Sequence, residues 1–152
     1  MVRMGDKAPD FTLESHLGDM VKLSDLKGRP IVLFFYPKDG SPGCTKENCL
    51  VRDLTPEFEK AGAVVLGISR DGVEEHRKFS SKHGFAHILL SDPEGKVCRE
   101  YDALGIFGIV KRITYVLDRD HRIIGVIRSL SPSKHVTEAL EILKKLPTGE
   151  AI

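Results

Sequence analysis

The 152-residue chain contains no tryptophan, only three cysteines and a net charge of only +1. With 23 Lys and Arg against 22 Asp and Glu, it lacks the excess of one sign that a nucleic-acid-binding arm or a polybasic membrane patch requires. No apolar run approaches the ~20 residues of a membrane span. Residues 1–10 hold no stretch like the apolar core of a secretory signal. Three cysteines are too few for a disulfide framework, and an odd number cannot pair completely. A cytoplasmic setting is therefore expected, where cysteines serve catalysis, redox sensing, metal binding or packing.

What is present is an ordinary globular composition, 41% hydrophobic and 30% charged, of a length that suits one domain over residues 1–152. Residues 21–23, after the turn Leu17-Gly18-Asp19, read as one arm of a small N-terminal hairpin. Ser24-Asp25-Leu26-Lys27-Gly28 reads as a helical turn stopped by glycine. Ile31-Val32-Leu33-Phe34-Phe35-Tyr36 is an unbroken apolar run and predicts a strand buried on both faces. A polar loop over 37–43 leads into a helical stretch over 44–60. A second buried strand over 63–69, a helix over 74–83 and a short strand over 88–90 follow. Residues 113–117 and 123–127 predict a hairpin. Residues 133–146 predict a closing amphipathic helix, capped by Ser133, with Val136, Leu140, Leu143 and Ile142 on one face. This α/β order is that of thioredoxin-like folds: a central mixed sheet flanked by helices on both faces, extended by the N-terminal β-hairpin.

The most informative segment is Tyr36-Pro37-Lys38-Asp39-Gly40-Ser41-Pro42-Gly43-Cys44-Thr45-Lys46-Glu47-Asn48-Cys49. It runs from a buried strand through a Pro/Gly loop to a cysteine in the first turn of a helix. Unpaired N–H groups and the positive end of the helix dipole favour a thiolate there, and the thiolate is the nucleophilic form. Cys49 lies five positions on, which along a helix is ~7.5 Å of rise and ~140° of rotation. A disulfide needs Cα atoms within roughly 7 Å and facing Cβ vectors. Cys44 and Cys49 can therefore join only if the helix between them unwinds locally.

The chain resembles the peroxiredoxins, an AhpC/TSA-like family, in the branch called bacterioferritin comigratory protein or peroxiredoxin Q. The family pattern Pro-x-x-x-Thr/Ser-x-x-Cys is met by Pro37, Ser41 and Cys44. Further likeness lies in Ala8-Pro9-Asp10-Phe11-Thr12-Leu13, Leu23-Ser24-Asp25-Leu26-Lys27-Gly28, Gly67-Ile68-Ser69-Arg70-Asp71, Leu89-Leu90-Ser91-Asp92 and Arg112-Ile113-Thr114-Tyr115-Val116-Leu117-Asp118. The resemblance implies a thiol peroxidase acting on hydrogen peroxide and organic hydroperoxides, with no cofactor and no metal. It makes Cys44 the peroxidatic nucleophile and Cys49 the resolving cysteine, which forms an intramolecular disulfide that thioredoxin or a similar dithiol reduces. Arg112 would hold the thiolate and polarise the peroxide, Ser41 and the Cys44 N–H would bind its oxygens, and Pro37 would shield the site from water. It also implies a monomer, with a dimer as the alternative, and neither nucleic acid nor membrane as partner. The chain departs from the pattern at Ser41, where threonine is commoner, at Gly40, where a side chain is usual, and in a short stretch over 105–111. Cys98 has no family role.

Two other readings compete. A thioredoxin-fold dithiol–disulfide oxidoreductase would carry Cys-x-x-Cys, often after tryptophan, and both are missing here. A redox-responsive binding module would use the same cysteines without turnover. Cys98 reads as a packed thiol, His76, His83 and His87 as solvated or weakly structural, and His135 as exposed on the last helix. Glu138, Glu141, Lys144 and Lys145 read as a solvated face.

Overall fold

A computed structural model describes residues 2–147 of the protein. The first hairpin pairs β1 (Thr12–Ser15) with β2 (Met20–Lys22), and a 3₁₀ turn over Leu23–Leu26 follows. Next come β3 (Ile31–Phe35), α1 (Pro42–Asp53), α2 (Thr55–Lys60) and β4 (Val64–Ser69). The chain continues through α3 (Val73–His83), β5 (Ile88–Ser91), α4 (Lys96–Glu100), β6 (Ile113–Leu117), β7 (Ile123–Ile127) and α5 (Pro132–Lys144). The strands form one mixed sheet in the order β2-β1-β5-β4-β3-β6-β7. Strands β3, β4 and β5 run parallel, joined by helical crossovers, while the remaining pairings are antiparallel.

Strand β3 shows why the sheet is central. Ile31, Leu33 and Phe35 enter one apolar cluster, and Val32, Phe34 and the following Tyr36 enter the other, on the opposite face. Period-two alternation with both faces apolar is what a strand covered on both sides requires. The two faces are covered unequally. Residues of α1, α2, α3 and α5 fill one cluster, whereas the other is closed by the short α4, the N-terminal segment and Leu23.

The expected helix over 44–60 is two helices. Pro56 stands in the first turn of α2, where it can supply no N–H to continue α1, and its ring restricts Thr55. The break falls at Leu54 (φ −100°, ψ 10°). Helix α1 also starts earlier than expected, with Ser41 at the N-cap and Pro42 at the first helical position, the place where a missing N–H costs nothing. The last helix repeats this arrangement: Ser131, not Ser133, is its N-cap, Pro132 opens it, and it ends at Lys144. Val136, Leu140 and Leu143 are buried as expected, while Ile142 is half-buried. Helix α4 was not foreseen, because five residues leave no room for a period to show. Among the described residues no helix is long and apolar enough to cross a membrane.

Candidate active site

Strand β3 delivers the chain to the carboxyl end of the sheet, where α1 begins. In the antiparallel pairing of β6 with β3, Phe35 faces Ile113. Arg112, one residue earlier, therefore stands beside the end of β3, next to the first turn of α1. Cys44 occupies the third position of α1 and is fully buried. The first backbone bond into the helix is from the Thr45 N–H to the Ser41 carbonyl, at 2.8 Å. Ser41 makes no side-chain cap, and the Gly43 and Cys44 N–H groups take no acceptor among the described residues. These are the orphan donors of a helix start, placed around the sulfur.

Arg112 Nη2 donates to Cys44 Sγ at 3.3 Å. Its other terminal nitrogen, Nη1, donates to Glu47 Oε1, so the guanidinium is held at two points, as its fork geometry permits. Glu47 lies on the next turn of α1, with its side chain 1% exposed. Its second oxygen has no partner among the described residues. Burial pushes the Glu47 carboxyl up to about 7, against the opposing attraction of Arg112. Burial alone would weaken the charged form of Arg112, but the facing Glu47 and Cys44 outweigh it and hold the cation more firmly. Gly43 leaves the space for this arrangement, since a Cβ there would lie 3.0 Å from Arg112 Nη2.

Ser41 is half-buried, and its hydroxyl donates to the Lys38 carbonyl at 2.9 Å. Its single proton is thereby used, so toward a ligand the oxygen can only accept. Pro37 is half-buried and lines a cleft with Lys38, Arg70, Gly108 and Ile109. Arg70 fixes the far side of that cleft by donating to the carbonyls of Gly108 (3.0 Å) and Pro93 (2.9 Å). Gly40 adopts φ +81°, a left-handed turn that disfavours a side chain.

Cys49, half-buried, lies on the same unbroken helix as Cys44, and all three cysteines are free thiols. The structure thus brings Cys44 and Arg112 together and leaves Cys49 one turn and a half along α1. Cys98 is packed in the opposite core cluster. Burial, and then Asp92, push its thiol up, away from reactivity.

Sequence reasoning missed several residues of this site, Glu47 among them. Three positions from Cys44, on its helical face, a charged residue was a readable signal. The histidine expectations need correction: His76, His87 and His135 are buried, and each is hydrogen-bonded. His135 sits between Thr114 Oγ1 (2.8 Å) and the Ser129 carbonyl (2.7 Å). His87 Nε2 meets Asn48 Oδ1 at 2.8 Å. Both ring nitrogens of His76 face acceptors, Asp39 Oδ2 at 2.5 Å and the Leu90 carbonyl at 2.9 Å. Asp39 also accepts from the Tyr36 hydroxyl at 2.6 Å, and its N–H donates to Asp71 at 2.9 Å. Asp39, Asp71 and His76 have ligand atoms within 4.8 Å of one another, the one gathering of potential metal ligands among the described residues. Internal hydrogen bonds already join these groups, and they anchor the loop before Ser41.

Residues 4–126 match the AhpC/TSA family, and the chain belongs to it; its fold and its relatives are those of a thiol peroxidase. Within the family it stands with the Bcp and peroxiredoxin Q proteins. It is 41% identical to peroxiredoxin Bcp of Bacillus subtilis over 152 aligned positions, covering 95% of this chain and 97% of that one. Among solved structures, peroxidoxin BcpB of Mycobacterium tuberculosis superposes with a TM-score of 0.91 at 39% identity, over 97% of this chain and all of that one. The bacterioferritin comigratory protein of Xanthomonas campestris gives 0.83 at 35% identity, over 88% of this chain and 90% of the other.

Proposed function

We propose that Cys44 is the peroxidatic nucleophile of this peroxidase and Cys49 its resolving partner. The observation that carries the reading is the contact of Arg112 Nη2 with Cys44 Sγ at 3.3 Å, on a guanidinium that Glu47 holds from behind. The Cys44 thiolate attacks one oxygen of a hydroperoxide and the O–O bond breaks. The other oxygen leaves with the electron pair, takes up a proton and departs as water or an alcohol. Arg112 and the free N–H of Cys44 stabilise the charge that moves between sulfur and oxygen, and Ser41 Oγ accepts a hydrogen bond from the peroxide hydroxyl. Pro37 walls the loop side of the site against water. The Cys49 thiol then attacks the Cys44 sulfenic sulfur, giving the Cys44–Cys49 disulfide and water. An external dithiol of the thioredoxin type reduces that disulfide and completes the cycle. Hydrogen peroxide and organic hydroperoxides both suit this chemistry; the Xanthomonas protein is described by its alkyl peroxide reduction activity. The even charge balance and odd cysteine count support a cytoplasmic protein, and the family resemblance favours a monomer over a dimer.

The test is one equivalent of peroxide added to the reduced protein, followed by intact mass and peptide mapping. A loss of about 2 Da mapped to Cys44 and Cys49 is expected. Cys44→Ser should abolish turnover, while Cys49→Ser should reduce one equivalent and then stall with thioredoxin as donor. Retained turnover in Cys44→Ser would remove Cys44 from its role. Normal cycling in Cys49→Ser would remove Cys49 from its own.

A further inference from the structure

Asn48 stands one helical turn after Cys44 and immediately before Cys49, and it is fully buried. Its side chain turns back along α1, where Nδ2 donates to the Cys44 carbonyl at 2.9 Å. Its Oδ1 accepts from His87 Nε2 at 2.8 Å, across 39 residues of sequence. The Cys44 carbonyl can only accept, which fixes the amide's orientation. The fixed amide in turn requires the proton of His87 to sit on Nε2. His87 Nδ1 has no partner among the described residues, so Asn48 supplies the one hydrogen bond that the ring makes. The ring is held between Phe34 and Phe85, with centroids 5.7 Å and 4.9 Å away. Burial holds His87 neutral, its pKa lowered to about 3.

We propose that Asn48, latched by His87, is a positioning residue that keeps the Cys44 turn of α1 helical and so sets how fast oxidised Cys44 can reach Cys49. This proposal rests on the roles given to those cysteines above. To bond with Cys49, Cys44 must leave its helical position, and its carbonyl must then part from Asn48. If Asn48 itself leaves, the buried N–H of His87 is stranded among apolar neighbours. The latch therefore opposes opening in either case and prolongs the life of the Cys44 sulfenic acid. That species has two fates. With the Cys49 thiol it gives a disulfide and water; with a second hydroperoxide it gives a sulfinic acid and water or an alcohol.

Two variants isolate the latch: Asn48→Ala, and His87→Phe, which keeps an aromatic ring in the same pocket. Amide hydrogen exchange of the reduced protein over residues 44–49 is expected to rise roughly three- to tenfold in each, the effect of losing one net hydrogen bond, with β3 and β4 unchanged. The double variant should exchange no faster than the faster single, since both act through one contact. After a pulse of excess peroxide, the ratio of sulfinic acid to disulfide at Cys44 should fall by a similar factor. Unchanged exchange in both variants, or a ratio that rises, would overturn the proposal. So would nitrogen NMR of the native protein placing the His87 proton on Nδ1, a result that depends on no variant folding. If the wild type forms no disulfide, the reading of Cys49 fails instead, and the exchange rates still decide the latch.

Discussion

Glu47 is a carboxyl held out of water, with one oxygen facing Arg112 and the other without a hydrogen-bond partner among the described residues. Its acid form is favoured in the folded protein, with a pKa of about 7 against an ordinary value of 4.5. The folded state therefore binds more protons than the unfolded chain between those limits, and stability falls as pH rises through that window. Against a Glu47→Gln variant, the wild type should lose roughly 2–3 kcal/mol between pH 4.5 and 7.5. Urea unfolding at several pH values measures this; parallel curves for the two proteins would mean that Arg112 fully compensates the buried charge. At low pH a protonated Glu47 still accepts from Arg112, so the guanidinium keeps its position while losing its opposing charge.

Among the elements, β4 packs closely against β3 where Gly67 faces Phe34. A Cβ on Gly67 would lie 2.7 Å from the Phe34 ring and 3.0 Å from Leu89, both buried side chains with nowhere to retreat. Gly67→Ala should cost about 1–3 kcal/mol, seen as a lower denaturation midpoint with an unchanged slope. An unaltered midpoint would mean that the core beside Phe34 yields freely. This scale also separates what the sequence declared from what it hid. Strands β3 and β4 announce themselves as apolar runs, and the hairpin of β6 and β7 by two more. The split between α1 and α2 was written in Pro56 but masked by the continuous helical pattern around it. Helix α4 and the 3₁₀ turn at Ile106–Gly108, with Phe107 at φ +59°, carry no periodic signal. The pairing of Cys44 with Arg112 was legible only through the family motif, because 68 residues separate them. The burial of His76 and His87 was not legible, since their partners Asp39 and Asn48 lie 37 and 39 residues away.

For the whole molecule, acid stability is set by opposing groups. His87 is neutral in the fold, with a pKa of about 3, and titrates at its ordinary 6.5 once unfolded. The unfolded chain then binds the extra proton, so this contribution is complete above about pH 6.5 and is lost as pH falls toward 3. The window overlaps that of Glu47, and the slopes have opposite signs. Across pH 6.5 to 4.5 the wild type should therefore lose stability faster than His87→Phe, by up to roughly 2–3 kcal/mol. Equal acid limbs for the two proteins would show that His87 takes up its proton in the folded protein as readily as in the unfolded chain.

The anchoring of Asp39 to Tyr36, His76 and Asp71 has a consequence for endurance. It stands between the sheet and the left-handed turn at Gly40, so whatever rearranges at the start of α1 is insulated from β3. If α1 opens between Cys44 and Cys49 as proposed, an opening confined in this way leaves the framework in place to receive the helix again.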